Sequence, residues 1–433
     1  MADKFRVTRT CRAFLMAQVL WGALPMGAAL AQDQVQGQGQ NTARDAARGV
    51  TVTSRPRPDF DPLGVRLGGF RLDGMVDVGP GFDSNLFGRR NNVVSDGFVD
   101  TAAGARLRSD WTTHAVGIEA SMLSRQYFNN SDLDFQDWNI LGFGRYDFSA
   151  DTNVEGRYRH AREHLDVFST EVQGLGIARP VSYDTDEVSV TGNTRFNRVG
   201  LTGGALWRSY RFENQSFAST GGSLSLNDFD TVIGSIGSSY TVAPGRAVTA
   251  TVRLQDISYT NAASRSRDSF TWEALLGFDY DFDGVWQARV AVGWRQRNYN
   301  GPGLKPVEGL AAEGQITWLP TQLTTVRFNV LRTIEESIRV DAVSYQRLQG
   351  GVTVDHEFLR NVILSGDIRA DRREYQRPDQ KVTDGILTLS ARWLINRNLE
   401  LIGAYSYSQR LEKSAGYDEY DRNLFQVRLR ASL

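Results

Sequence analysis

Apolar and polar residues alternate along most of this chain, and the alternation is cleanest from Asp268 to Arg297. Phe270, Trp272, Ala274, Leu276, Phe278, Tyr280 and Phe282 share one parity. Thr271, Glu273, Gly277, Asp279 and Asp281 fill the other, with only Leu275 apolar among them. After Asp283-Gly284 the pattern restarts, with Trp286, Ala288, Val290, Val292 and Trp294 set against Gln287, Arg289, Gly293, Arg295 and Arg297. Successive side chains on a strand point to opposite faces, so the segment predicts a hairpin with one apolar and one charged face. A three-residue turn pairs Asp279 with Arg289 and Glu273 with Arg295, two cross-strand pairs of opposite charge. Both strands exceed the roughly 5–6 residues of ordinary strands and match the ~9–11 tilted residues of a membrane strand. Aromatic residues close both ends of each apolar face, as in the interfacial girdles of membrane barrels.

The same alternation starts near Leu67 and continues to Leu433. It predicts eighteen strands, at about 68–79, 97–108, 114–126, 136–148, 153–163, 186–196, 199–211, 229–241, 247–259, 269–282, 285–298, 307–318, 323–334, 344–356, 362–373, 383–394, 399–409 and 422–433. Connections alternate between short turns, such as Asn197-Arg198 and Ala243 to Arg246, and long polar loops, such as 80–96, 164–185 and 212–228. That asymmetry marks an all-β, transmembrane antiparallel up-and-down β-barrel of about 18 strands, 16 being the count if two weak pairings fail. The short turns then face the periplasm, as do both termini. Trp111, Trp286, Trp318 and Trp393 fall toward the short turns, and Trp138, Trp207, Trp272 and Trp294 toward the long loops. Amphipathic rings gather at membrane interfaces.

The N-terminus changes the picture by adding a route. Lys4, Arg6, Arg9 and Arg12 precede an apolar run from Ala13 to Leu24, and Ala29-Leu30-Ala31 precedes Gln32. Residues 1–31 therefore read as a secretory signal peptide cleaved between Ala31 and Gln32. Residues 32–66 are polar without apolar period and predict a disordered periplasmic leader. Residues 67–433 form the barrel. Cys11 is the sole cysteine and lies within the signal peptide, so the mature chain has no disulfide or cysteine metal site. Loss of Asp3 and the four basic residues moves the formal charge from −1 to −4, which leaves no basic footprint for nucleic acid. Lys305, Lys381 and Lys413 are the only later lysines; the other basic side chains are arginines, suited to fixed pairing with carboxylates.

Catalytic chemistry is poorly represented. The histidines are His114, His160, His164 and His356. His160 and His164 lie about 13 Å apart on an extended strand, too far for one metal. No nucleophile elbow, zincin, P-loop or EF-hand sequence occurs. Asp184, Asp186 and Glu187 admit a calcium reading but read better as a solvated loop. No catalytic residue, cofactor or resident metal is expected, and the chain is not expected to be an enzyme.

The inward parity carries the candidate function. Expected pore-lining residues are Arg106, Arg108, Glu119, Arg125, Arg145, Glu155, Arg157, Arg159, Arg208, Arg253, Glu273, Asp279, Arg289, Arg295, Glu313, Arg327, Asp367, Arg369 and Arg428. They predict a charged, wet lumen whose field selects polar solutes, or a wall in which charges knit strands together. Leu123, Tyr127, Phe143 and Tyr210 share the inward parity, and the three aromatic ones suggest a stacking track for sugars. Loops 164–185 and 212–228 are the candidates for folding into the lumen.

Four segments carry a resemblance: RPRPDFDPLGVRLGGF (55–70), GFDSNLF (81–87), RSDWTTHAVG (108–117) and DFQDWNI (134–140). In order and spacing the mature chain resembles the putative outer-membrane β-barrel porin type 2 family of proteobacteria. The resemblance implies a Gram-negative outer-membrane channel, often linked to capsule or exopolysaccharide export beside a periplasmic polysaccharide-export protein. It supplies no functional residue to carry over. The final strand, Phe425 to Leu433, resembles the signal read by the barrel-assembly machinery, with Leu433 in place of the usual terminal Phe. The expected partners are outer-membrane lipid, that machinery, an export protein, and polysaccharide or small polar solutes. A general diffusion porin and a structural or adhesin barrel are the alternative functions.

Overall fold

The computed structural model describes residues 49–213, 223–281, 284–339, 341–376 and 378–433. Strand β1 is Val65–Leu67, and the strands that follow are β2 Phe70–Asp83, β3 Asp96–Ser109, β4 Ala115–Tyr127, β5 Phe135–Asp147 and β6 Thr152–Leu165. Then come β7 Val181–Phe196, β8 Val199–Phe212, β9 Phe229–Ala243, β10 Arg246–Tyr259, β11 Ser269–Tyr280 and β12 Trp286–Tyr299. The chain finishes with β13 Val307–Thr321, β14 Thr324–Glu336, β15 Ser344–Leu359, β16 Val362–Gln376, β17 Asp379–Leu394, β18 Leu399–Glu412 and β19 Asp421–Ser432. Each strand from β2 onward pairs antiparallel with the next, and β19 returns to β2 through pairs such as Arg430↔Asp77 and Phe425↔Phe82. The result is a closed eighteen-stranded barrel. Strand β1 is a short addition that pairs with β2.

The expected register of the clean hairpin is found. Glu273 faces Arg295 and Asp279 faces Arg289 across β11 and β12. Phe282 and Asp283 of its turn lie outside the described residues, as do the signal peptide and the Ala31–Gln32 junction. Alternation sets the two faces. Ile236, Leu276, Val292 and Ile368 are 73%, 67%, 57% and 64% exposed on the outside. Their inward neighbours Glu273, Thr271 and Arg297 are buried. Apolar side chains exposed right around a barrel need a non-aqueous surround, which a bilayer provides. Among the described residues no helix is long and apolar enough to cross a membrane, so the crossing belongs to the strands. Trp286 starts β12 and stacks on Trp318 near the end of β13, their ring centroids 5.2 Å apart, at the short-turn end.

Two differences from the sequence reading have physical causes. Strands β7 and β17 begin at Val181 and Asp379, several residues before the alternation becomes visible. In that part of β7 the outward positions are Asp184 and Asp186, because the strand has risen beyond the apolar band. Arg162 pairs there with Glu213 at 3.3 Å, and Arg211 with Asp230 at 2.6 Å. A strand leaving the bilayer keeps its hydrogen bonds and loses its apolar parity.

The second difference is the segment 49–66, expected to be a disordered leader. It is ordered along the short-turn rim. Val52 is fully buried against Ile363 and Leu394, and its N–H donates to Thr325 Oγ1 at 2.9 Å. Arg57 pairs with Glu357 at 2.8 Å. Arg397 donates to the Pro58 carbonyl at 2.9 Å. Isolated anchors, one valine and two arginines, tie the segment to successive turns without needing any apolar period. Burial holds the Arg57 guanidinium below its ordinary pKa, although Glu357 opposes that shift.

Ile236 sits midway along β9 on the outer face. Ile236→Arg should lower stability by about 2–4 kcal/mol, the cost of a cation near the bilayer midplane. The adjacent inward Ser235→Arg should cost much less. Denaturant unfolding in liposomes distinguishes the two.

Candidate functional site

The lumen wall is a ladder of ion pairs. Arg253 of β10 reaches both Glu273 of β11 and Glu313 of β13, each at 2.8 Å, and Arg295 closes on Glu273. Arg106 and Arg108 share Glu119 at 3.0 Å. Arg125 grips Asp100 through two nitrogens, at 2.8 and 3.0 Å. Arg327 pairs with Asp355 at 2.7 Å, Arg369 with Asp367 at 2.7 Å, Arg145 with Asp147 at 3.1 Å and Arg289 with Asp279 at 3.5 Å. Arg428 meets Asp77 at 3.3 Å, Arg157 meets Glu155, Arg159 meets Glu163 and Arg208 meets Glu187. Every arginine in the expected pore-lining set therefore has a carboxylate. A charge paired at ~3 Å acts at a distance as a dipole, so this wall offers donors and acceptors more than a single-sign field.

Exposure along the wall is uneven. The side chains of Arg157 and Arg289 are 54% and 46% exposed. Arg297, Arg347 and Glu336, toward the long-loop end, are buried. The cause is the connection between β6 and β7. Ser169 caps a short helix, α1 (Thr170–Leu175), accepting from the Val172 N–H at 3.3 Å, and Gly176 at φ 68° ends it. The helix is carried to the far wall. Glu171 accepts from Ser337 Oγ at 2.7 Å, from the Ile338 N–H at 2.8 Å and from the Tyr375 hydroxyl. Gln173 donates to the Phe87 and Gly88 carbonyls at 3.1 and 3.2 Å and accepts from Arg410 at 2.9 Å. Strands β6 and β7 stand half the circumference away from β15 and β16, so α1 spans the lumen. Gly174 permits a close approach, since a Cβ there would lie 2.9 Å from Arg339 Cδ.

Beneath α1 is an apolar core inside the barrel. Val172, Leu175 and Ile338 pack on Tyr183, Tyr210, Phe212, Phe229, Ile257 and Tyr259. Leu224, from the described part of the 212–228 loop, is fully buried in the same core. Both loops singled out from the sequence thus turn inward, although 214–222 lies outside the described residues. Arg339 fastens the opposite side. It pairs with Asp341, donates to Gln380 at 2.8 Å and to the Tyr417 hydroxyl, and lies 4.7 Å over the Tyr375 ring. Burial pushes the Tyr417 hydroxyl up to about 12, against the pull of the Arg339 charge, so it remains a neutral donor and acceptor.

Other expectations resolve by geometry. Asp184 and Asp186 face outward on β7 while Glu187 faces inward on Arg208, its carboxylate 2.7 Å from Nε, so the three cannot share a calcium ion. The described residues contain no group of three or more His, Cys, Asp or Glu side chains able to hold a metal. His160 bonds Asp186 at 2.8 Å, and His164 bonds Asp137 at 2.9 Å. Among the four inward apolar residues, Tyr210 joins the buried core and Tyr127 packs edge-on to Phe98 at 5.5 Å. Phe143 lies 6.0 Å beneath Arg108, and Leu123 stands opposite Asp137. The sequence reading missed Tyr183, Phe229, Tyr259, Tyr345 and Tyr375. The signal was present for Phe229, Tyr259 and Tyr345, as inward-parity aromatics at strand ends on the long-loop side; Tyr183 and Tyr375 fell in spans read as loops.

Comparison with known proteins gives a family match over residues 57–433, to the model described as Putative beta-barrel porin 2. No curated protein matches. Among solved structures, Pseudomonas aeruginosa OccK2 (OpdF) is similar at 10% identity, covering 84% of this chain and 98% of that one, with a TM-score of 0.46. The outer membrane protein OpdK of the same species is 11% identical over 84% of this chain and 98% of its own, with a TM-score of 0.44. A mutant of its ferric enterobactin receptor, PfeA, crystallised with enterobactin, is 6% identical over 85% and 82%, with a TM-score of 0.46.

Three substitutions test this arrangement. Glu273→Ala strands Arg295 on a crowded wall, while Arg253 keeps Glu313, and should cost about 3–5 kcal/mol; Arg157→Ala, on exposed wall, should cost under about 1 kcal/mol. Denaturant midpoints of the purified barrel measure both. Glu171→Ala removes the acceptor shared by Ser337, Ile338 and Tyr375. Backbone hydrogen exchange should then rise at least about tenfold across 166–180 and 337–339, with the strands unchanged.

Proposed function

Because the chain belongs to the Putative beta-barrel porin 2 family, we propose that this outer-membrane β-barrel is a passive channel for export of a capsular polysaccharide or exopolysaccharide, acting with a periplasmic polysaccharide-export partner. In this reading residues 1–31 are removed on secretion, the C-terminal strand engages the barrel-assembly machinery, and outer-membrane lipid surrounds the apolar face. The short turns and both termini face the periplasm. Segment 49–66 then edges the periplasmic mouth, and α1 crosses the lumen near the external one.

The observation that carries the export reading is closure at one end. A constitutive pore for small solutes needs a standing aqueous path. Here α1, Ile338 and Leu224 pack an apolar core across the lumen at the long-loop end. A channel used only when polymer is driven outward is better kept shut. The compensated wall supports the same reading, since its paired charges present hydrogen-bonding groups to sugar hydroxyls without attracting ions of one sign. The alternative, a general diffusion porin, draws its support from the solvent-accessible arginines Arg157 and Arg289 at the other end. Neither reading gives the chain a catalytic step or a cofactor.

Deletion of the gene should reduce secreted polysaccharide at least about tenfold while small-solute uptake stays unchanged. Loss of uptake with normal secretion would establish the diffusion porin instead. Loss of neither, with altered surface adhesion alone, would leave a structural barrel or adhesin.

A further inference from the structure

We propose that the lumen surface covered by α1 is a saccharide-binding site, built from two arcs of aromatic rings for a polymer of hexopyranose units without net charge. The proposal rests on the channel reading and names the substrate contact within it. The first arc comes from four consecutive strands. Tyr183 of β7, Tyr210 of β8, Phe229 of β9 and Tyr259 of β10 form an unbroken row, with neighbouring centroids 6.2, 4.5 and 5.6 Å apart. Tyr345 of β15 and Tyr375 of β16, 5.2 Å apart, make the second. Strands lie about 4.8 Å apart, so each strand contributes one ring and the row climbs the wall as a continuous apolar surface.

What distinguishes these arcs from an ordinary core is the charge beside them. Tyr183, Tyr259 and Tyr345 donate to Glu163, Glu336 and Glu335 at 3.0, 2.7 and 2.7 Å. Arg208 donates to the Tyr210 hydroxyl at 3.0 Å. Glu335, Glu336, Arg208, Arg347 and Arg373 are all buried. Burying carboxylates and guanidiniums costs stability that apolar residues of the same size would not. A plug needing only to stay in place is better served by a dry apolar contact. A pyranose has different needs: a flat ring for its C–H face and bidentate acceptors and donors for its hydroxyl edge. Rings bordered by charged hydrogen-bonding groups supply both.

At present the first arc is covered by aliphatic side chains, while the second packs with Ala342 and lies under the Arg339 guanidinium. Val172, Leu175 and Ile338 occupy the positions where sugar C–H faces would stack, with Ile177 packed against them. Between the arcs remains a cavity of about 30 Å³, lined by residues of both, including Tyr183, Phe229, Tyr259, Tyr345, Arg347 and Arg373. That volume holds a water or two, not a sugar. Saccharide binding therefore requires α1 to withdraw, and the same movement opens the lumen.

The test uses the full barrel in detergent, with residues 168–178 replaced by a Gly/Ser linker, and fluorescently labelled cellohexaose read by anisotropy. The linker variant should bind at least about tenfold more tightly than the parent. In its background Tyr210→Ala and Phe229→Ala should each weaken binding about tenfold, roughly the loss of one stacking contact, and Phe229→Tyr should retain it. Glu171→Ala in the otherwise intact chain should also raise affinity, which guards against misfolding of the linker variant. Absence of binding in both opened variants, or binding indifferent to the ring substitutions, overturns the site. Planar-bilayer conductance of the same variants separates the two readings. A barrel that conducts without binding cellohexaose refutes this site and leaves the channel. One that binds while remaining non-conducting refutes the channel.

Discussion

A strand inside a bilayer has no water to take its backbone N–H and C=O groups, so the sheet must close on itself. The pairing of β19 with β2 meets that demand, and much of the molecule follows from it. Closure through an antiparallel pair fixes an even strand count and one inward parity for every strand. One face must then be apolar and the other must fill the lumen. Once charged side chains are confined to a crowded interior they need partners: Asp77, Glu119 and Glu273 each gather two arginines from neighbouring strands, and Asp100 takes Arg125.

That chain of constraints explains why the barrel could be read so fully from sequence. A period of two survives any local noise, because a one-residue slip would turn a whole strand inside out. The cross-strand pairs Glu273–Arg295 and Asp279–Arg289 follow from parity and turn length alone. The reading fails where the membrane stops imposing its rule. In β7 before position 186, Ser182 and Asp184 face outward while Val181 and Tyr183 face inward, the reverse of the lipid-facing pattern, so the stretch resembled a loop.

The two ends of the lumen were less legible, for a related reason. Their contacts are made between segments far apart in sequence and carry no period. Val52 reaches Thr325, and Glu171 reaches Tyr375, each through a single side chain or N–H. Nothing near Glu171 in the sequence marks it as the pin of a helix that crosses the barrel. The lumen arginines could be found from parity, but not their full compensation, since Arg253 meets Glu313 across two intervening strands. Register gives neighbours; it does not give such reaches.

The contrast between the ends bears on how such a barrel could work without an energy source of its own. Ion pairs in the wall are fixed by strand register and cannot rearrange without breaking the sheet. The closure at the long-loop end is of another kind. It rests on a six-residue helix, a few aliphatic contacts and a carboxylate held by neutral donors, none of which belongs to the sheet ladder. Local opening draws on the least cooperative parts of a structure, and here those parts occupy the lumen. In the export reading, a polymer pushed from the opposite end would act on these contacts while the wall stays intact. The rings it uncovered would then offer a sugar the apolar faces that Val172 and Leu175 had covered.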